Sequence, residues 1–297
     1  MSELISHHHP RVALIGECMI ELQQHANGSL QQSFGGDTLN TAVYLARMLG
    51  GAGQVDYVTA LGDDSFSDAM CKDWAQERIG LSKVQRLPGR LPGLYCIQTD
   101  AHGERRFLYW RNEAAVRDCF TTPAAAPILA ALPDYDVLYF SGITLAVLGE
   151  QGRARLLSVL VEARARGARV AFDNNYRPRL WDSVEQARTA YLMCLPQVDL
   201  ALLTEDDERA LFGYADTEQL LAAYRQMGIS EVVVKRGTVE DWLFVVAEGR
   251  IRVHIGDMTL LESGPVKQSA RDMINSQSQE SGLMTLMLGQ RGAQPLH

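Results

Sequence analysis

An α/β fold with a parallel, doubly wound sheet is the class this sequence predicts, and three observations predict it. Six short runs, at residues 12–15, 55–59, 137–140, 170–172, 198–203 and 232–234, are near-continuously apolar, as strands buried on both faces are. Five stretches, at residues 41–49, 65–79, 151–165, 184–194 and 217–227, space apolar residues three and four apart, the period of a helix with one buried face. Strand and helix in alternation give a parallel sheet with helices on both sides. At 297 residues and 46% apolar content, the chain can bury one large core or two modest ones, and residues 1–297 are expected to form a single α/β domain.

The elements follow in order. The first strand ends in Gly16-Glu17, and the segment Phe34-Gly35-Gly36-Asp37-Thr38-Leu39-Asn40 then leads into the helix at 41–49. Paired glycines permit backbone conformations other residues resist, and Asp37 or Thr38 suits the helix cap. A polyol could lie against such a turn. After the strand at 55–59 and the helix at 65–79, two segments break the alternation: 94–99 and 106–110 flank residues 100–104, whose Gly103 suits a hairpin turn. This predicts a β-hairpin lid at about 91–113, inserted between α/β units and able to close over a ligand. The strand at 170–172 empties into Asp173-Asn174-Asn175-Tyr176-Arg177-Pro178-Arg179-Leu180-Trp181. Clustered amides, two arginines and aromatics at the carboxyl end of a strand read as a binding loop, and two guanidinium forks suit a carboxylate or a phosphate. Thr204-Glu205-Asp206-Asp207-Glu208 follows the next strand and opens a helix, where acidic residues complement the dipole. The last clear strand ends in Lys235-Arg236-Gly237.

Composition excludes some partners. A net charge of −8 without a Lys/Arg run argues against nucleic acid and anionic membrane, so an anionic ligand must meet locally clustered arginines. The sequence has no apolar run long enough to span a bilayer, and residues 1–10 do not read as a signal peptide. Five scattered cysteines, without a close pair, read as free thiols of a cytoplasmic protein. His7, His8 and His9 read as a terminal tail without a role.

Gly35-Gly36-Asp37-Thr38-Leu39-Asn40-Thr41-Ala42, Thr59-Ala60-Leu61-Gly62-Asp63-Asp64, the 173–181 loop and Val233-Val234-Lys235-Arg236-Gly237, in this order, resemble the ribokinase-like (PfkB) family of sugar kinases. Arg90-Leu91-Pro92-Gly93-Leu94-Tyr95 and Tyr109-Trp110-Arg111-Asn112-Glu113-Ala114-Ala115, with the 174–181 segment, are similar to the branch of that family acting on 2-keto-3-deoxygluconate. The resemblance covers residues 11–237 and implies a ribokinase-like doubly wound parallel sheet with a small β lid. It implies that Gly35, Gly36, Asp37 and Asn40 hold sugar hydroxyls, and that Tyr95, Tyr109, Arg111 and Arg177 hold the acidic end of a small-molecule sugar acid. It further implies ATP and Mg²⁺ as cofactors, with Asp207 and Glu208 near the metal, Lys235 and Gly237 beside the nucleotide phosphates, and a homodimer formed through the lid. The paired arginines disfavour an uncharged sugar such as fructose or ribose.

The resemblance fails at one place. The family's catalytic turn is Gly-Ala-Gly-Asp at a helix start, and this sequence lacks it. Its nearest counterpart is Lys267-Gln268-Ser269-Ala270-Arg271-Asp272-Met273-Ile274-Asn275, which makes Asp272 the candidate base and places Arg271 where close backbone approach to phosphate is needed. Losing one amide donor to a transferring group typically costs about 3 kcal/mol in barrier. Residues 238–297 therefore read as an altered and shortened nucleotide side. The expected function is phosphorylation of the sugar acid on its terminal hydroxyl; the alternative is a relative that binds the sugar acid without phosphorylating it.

Overall fold

The computed structural model describes residues 9–25, 27–99, 104–235, 252–255 and 258–262. Its first half contains β1 (Arg11–Ile15), β2 (Met19–Gln24), β3 (Leu30–Gly35), α1 (Asp37–Leu49), β4 (Gln54–Leu61), α2 (Ser65–Gln76), β5 (Ile79–Gly80), β6 (Val84–Arg86), β7 (Gly93–Thr99) and β8 (Arg105–Trp110). Then come α3 (Ala126–Ala131), β9 (Val137–Ser141), α4 (Gly142–Val147), α5 (Gly149–Ala165), β10 (Arg169–Asp173) and α6 (Val184–Cys194). The described chain closes with β11 (Leu200–Thr204), α7 (Glu205–Phe212), α8 (Thr217–Gln226), β12 (Glu231–Lys235), β13 (Arg252–Ile255) and β14 (Met258–Glu262).

The main sheet runs β12-β11-β10-β9-β1-β4-β5, with β6 pairing farther along β4, and its pairs are parallel. Its strands carry apolar residues on both faces because each face has its own core. Val12 and Leu14 join a core with Leu39, Ala42 and Leu45 of α1 and Met70 and Trp74 of α2. Ala13 and Ile15 join the opposite core, with Leu156 and Leu160 of α5, Tyr191 of α6 and Leu220 and Tyr224 of α8. The chain leaves β1 for β4 on one side and returns to β9 on the other, so the switch point of the sheet lies between β1 and β9. Ligands of such sheets gather there, beyond the carboxyl ends of the strands.

The hairpin expected at 94–110 is present as β7 and β8, with Leu94 opposite Trp110 and Tyr95 opposite Tyr109. It is half of a larger lid. β2 and β3 form a second antiparallel pair, and β2 lies parallel to β7, giving a four-stranded sheet in the order β3-β2-β7-β8. The sequence hides this half because the two strands carry glutamines at 23, 24, 31 and 32 rather than an apolar run.

Some boundaries differ from expectation. The helix predicted over 65–79 stops at Gln76, since Arg78 turns the backbone to a φ of 62° and Ile79 enters β5. The helix predicted from residue 41 begins at Asp37, and its N-cap is Gly36 rather than Asp37 or Thr38. Thr38 is instead buried, its hydroxyl 2.9 Å from that of Tyr57. All five cysteines are free, and no helix among the described residues is long and apolar enough to cross a membrane.

Candidate functional site

The second lid strand, β3, delivers the chain to Gly35 and Gly36 beside the switch point. Gly36 is extended, at a φ of 178°, so its lack of a side chain serves close approach rather than backbone freedom. A Cβ there would lie 2.1 Å from the carbonyl oxygen of Glu17. At Gly35 a Cβ would lie 2.7 Å from the Tyr95 hydroxyl. The turn is thus pressed against the end of β1 and against the lid.

A continuous path of contacts leaves this turn in both directions. Toward the lid, Glu17 accepts a charge-assisted hydrogen bond from Nη2 of Arg111, and both side chains are buried, at 3% and 8% exposure. The Arg111 guanidinium stands 5.9 Å from the centre of the Tyr109 ring. Tyr109 and Tyr95 face each other across β7 and β8 with ring centres 5.8 Å apart, and the Tyr95 hydroxyl donates to Glu21. Register explains this row: Ser33, Glu21, Tyr95 and Tyr109 are successive cross-strand neighbours on one lid face.

In the other direction, Asp37 accepts from Nδ2 of Asn175 at 2.8 Å, so the turn meets the loop after β10. Asn175 is a non-glycine residue at positive φ, 25°, a conformation that asparagine tolerates better than most. It is held there from behind by Asn174, which is fully buried and uses its whole amide. Asn174 Oδ1 accepts from the backbone of Thr204 and Asn175, and its Nδ2 donates to the Thr204 carbonyl and to Glu208. The next two residues reach Asp207: the Tyr176 amide donates to it at 3.2 Å, and Arg177 Nη1 lies 3.4 Å away. Half of the Arg177 side chain is open to solvent, at 53%.

The predicted residues are therefore distributed as follows. Gly35, Gly36, Asp37, Tyr95, Tyr109, Arg111 and Arg177 lie along one path. Asn40 is exposed, one helical turn beyond Asp37. Lys235, at the end of β12, places its ammonium 3.5 Å from Asp173 at the end of β10. Asp207 is half-buried between Tyr176 and Arg177, whereas Glu208 points into the core, where Oε1 accepts from Asn174 and Tyr224 and Oε2 is buried without a hydrogen bond. Gly237 and Asp272 lie outside the described residues. Sequence reasoning did not single out Glu17, Glu21 or Tyr139, whose hydroxyl is 3.5 Å from Asp173. For Glu17 a signal existed: a charged residue placed one glycine beyond a fully apolar strand end.

Burial dominates the electrostatics. It raises the carboxyl pKa of Glu17 against the opposing pull of Arg111. It raises that of Asp37 too, with the Ser141 hydroxyl opposing and the charge of Asp173 adding to the rise. Asp207 is raised by burial and eased by Arg177, and Glu208 is pushed up to about 7 by burial. Burial and the Glu21 carboxylate raise the Tyr95 phenol, keeping it a donor. The site combines carboxylates able to accept from hydroxyl groups with two guanidinium groups and one ammonium group able to hold anions.

Known proteins resemble this chain along most of its length. The family profile described as pfkB family carbohydrate kinase matches residues 9–255. A 2-dehydro-3-deoxygluconokinase from Escherichia coli is 48% identical over 244 residues, covering 82% of this chain and 79% of that one. The enzyme of the same name from Dickeya dadantii is 49% identical over 243 residues, covering 82% and 78%. Among solved structures, a PfkB protein from a Polaromonas species superposes with a TM-score of 0.70 at 25% identity, covering 89% of this chain and 85% of that one. A putative ribokinase II from E. coli, at 20% identity and a TM-score of 0.69, covers 95% and 88% and shares the fold.

Proposed function

The chain belongs to the pfkB family of carbohydrate kinases, and from that premise we propose that it phosphorylates 2-keto-3-deoxygluconate on its terminal hydroxyl with ATP. The observation that carries this reading is the path joining Arg111 to Arg177 through Glu17, Gly36, Asp37 and Asn175. Two guanidinium groups flanking a hydroxyl-binding turn fit a sugar that is also an acid, whereas a neutral sugar has no use for them.

In this reading Arg111 and Arg177 hold the carboxylate, and Gly35, Gly36, Asp37 and Asn40 hold hydroxyls. Tyr95 and Tyr109 cover the substrate and exclude water. The terminal hydroxyl attacks the γ-phosphorus in line, its proton passes to a carboxylate, and the bond to ADP breaks. Asp272 is the proposed proton acceptor, and Lys235 and Gly237 are proposed to lie beside the phosphates. For Mg²⁺ the fit is selective. Among the described residues no group of three or more acidic, His or Cys side chains is arranged around one point. An ion that keeps waters and takes one or two carboxylates plus phosphate oxygens needs no such cage. Asp207, beside Asp173 and Lys235, suits it; Glu208, with Oε1 committed to Asn174 and Tyr224, does not. When bound, the ion would neutralise charge on the phosphates. The protein is further proposed to be cytoplasmic and to pair through its lid.

ADP release from the purified chain given ATP, Mg²⁺ and 2-keto-3-deoxygluconate tests the reading. Turnover is expected, and Asp272→Asn is expected to abolish it. Calorimetric binding of the sugar acid without turnover would mean a binder that has lost catalysis, and absence of both would sink the proposal.

A further inference from the structure

Glu17 lies outside the substrate set that the resemblance implies, yet it sits between two members of that set. On one side, a Cβ at Gly36 would come within 2.1 Å of its carbonyl oxygen. On the other, a Cβ at Gly93 would come within 2.7 Å of Oε1 and 3.1 Å of the Arg111 Cβ. Two glycines therefore leave room for Glu17 between the α1 turn and the lid. Oε2 holds Arg111, and Oε1 is buried without a hydrogen bond.

We propose that Glu17 is a positioning residue that fixes the Arg111 guanidinium for the carboxylate of the sugar acid; this rests on the reading of the chain as a sugar-acid kinase. A guanidinium carries five N–H donors in a rigid fork, so the one given to Glu17 leaves others for a second, bidentate carboxylate. An unheld arginine would lose rotamer freedom on each binding event, whereas one locked at folding meets that cost in advance. A buried ion pair is a poor device for stability, being close to neutral against a well-packed apolar replacement, and a better one for fixing a geometry. Glu17 spans the lid and the sheet edge, so it also fixes where the lid presents Arg111 relative to Gly36.

Calorimetric titration of the full chain, with 2-keto-3-deoxygluconate and separately with ATP and Mg²⁺, tests the role. Glu17→Ala is expected to weaken sugar-acid binding by about tenfold or more, leaving nucleotide binding unchanged. Glu17→Gln, whose amide carbonyl still accepts from Nη2, is expected to recover most of that loss. Gly93→Ala presses on Oε1 while keeping both charged residues; it is expected to weaken the sugar acid selectively and decides the matter if Glu17→Ala does not fold. The role is overturned by folded variants in which both ligands weaken together, or by a Glu17→Gln variant as impaired as Glu17→Ala. It is overturned equally by a Glu17→Ala variant that binds the sugar acid within about threefold of the wild type. A wild-type chain that binds no sugar acid overturns the kinase reading and this role together, whereas variants indistinguishable from a binding wild type overturn this role alone.

Discussion

Glu208 shows how one buried side chain converts packing into a pH dependence. Its carboxyl is fully buried, and burial pushes its pKa from the ordinary 4.5 up to about 7, only partly opposed by hydrogen bonds from Asn174 and Tyr224. A carboxyl with a raised folded-state pKa holds its proton more tightly in the native state than in the unfolded chain. Its contribution therefore turns against the fold as pH rises from about 4.5 to about 7, by up to about 3 kcal/mol. Glu208→Gln should flatten that part of the stability curve, which thermal melts at pH 5 and pH 8 would show. A wild-type to variant difference that is the same at both pH values would refute it. Asn175 acts on the site directly, and Asn175→Ala should loosen the loop by removing the bond to Asp37 and a residue that tolerates positive φ. The expected loss is about 1–2 kcal/mol of stability with weaker sugar-acid binding, read by melting and calorimetry.

Two glycines at the ends of α1 carry different constraints. Gly36, before the first turn, is excluded from bearing a Cβ by the Glu17 carbonyl 2.1 Å away, a backbone atom that cannot swing aside. Gly50, after the last turn, has open space around it but a left-handed φ of 56°. Alanine should cost about 1 kcal/mol at Gly50, and about 1–3 kcal/mol at Gly36 where the turn must shift. Only Gly36→Ala should also weaken sugar-acid binding, and equal binding by the two variants would show that the turn is not part of the site. The lid offers a parallel contrast. Its β7–β8 half was legible from two runs of aromatic and aliphatic residues around a glycine, whereas its β2–β3 half, in which half the residues are polar, was legible only through pairing.

The molecule as a whole carries exposed apolar side chains on both faces of its lid, Trp110 at 60% exposure and Leu30 on one face and Tyr109 and Phe107 on the other, which carries Tyr95. Sheet faces of this kind are usually covered. The proposed homodimer should therefore appear as a dimer mass in equilibrium sedimentation at micromolar concentration, and Trp110→Glu should shift it toward monomer. A monomer mass for the unmodified chain would contradict pairing through the lid. Legible in the sequence were the parallel sheet and its winding, because continuous apolar runs and helical periodicity are local properties of the chain. Legible too was the loop at 173–181, whose amides and arginines stand out against the apolar strand before it. Tertiary structure alone decided which polar groups meet. Glu17 and Arg111, Asp37 and Asn175, and Asn174 and Glu208 are far apart in sequence, and each pair is made by strand order and lid register rather than by any local pattern. It also separated Asp207, facing the loop, from Glu208, facing the core, because adjacent positions on a helix point about 100° apart and only one can face each way.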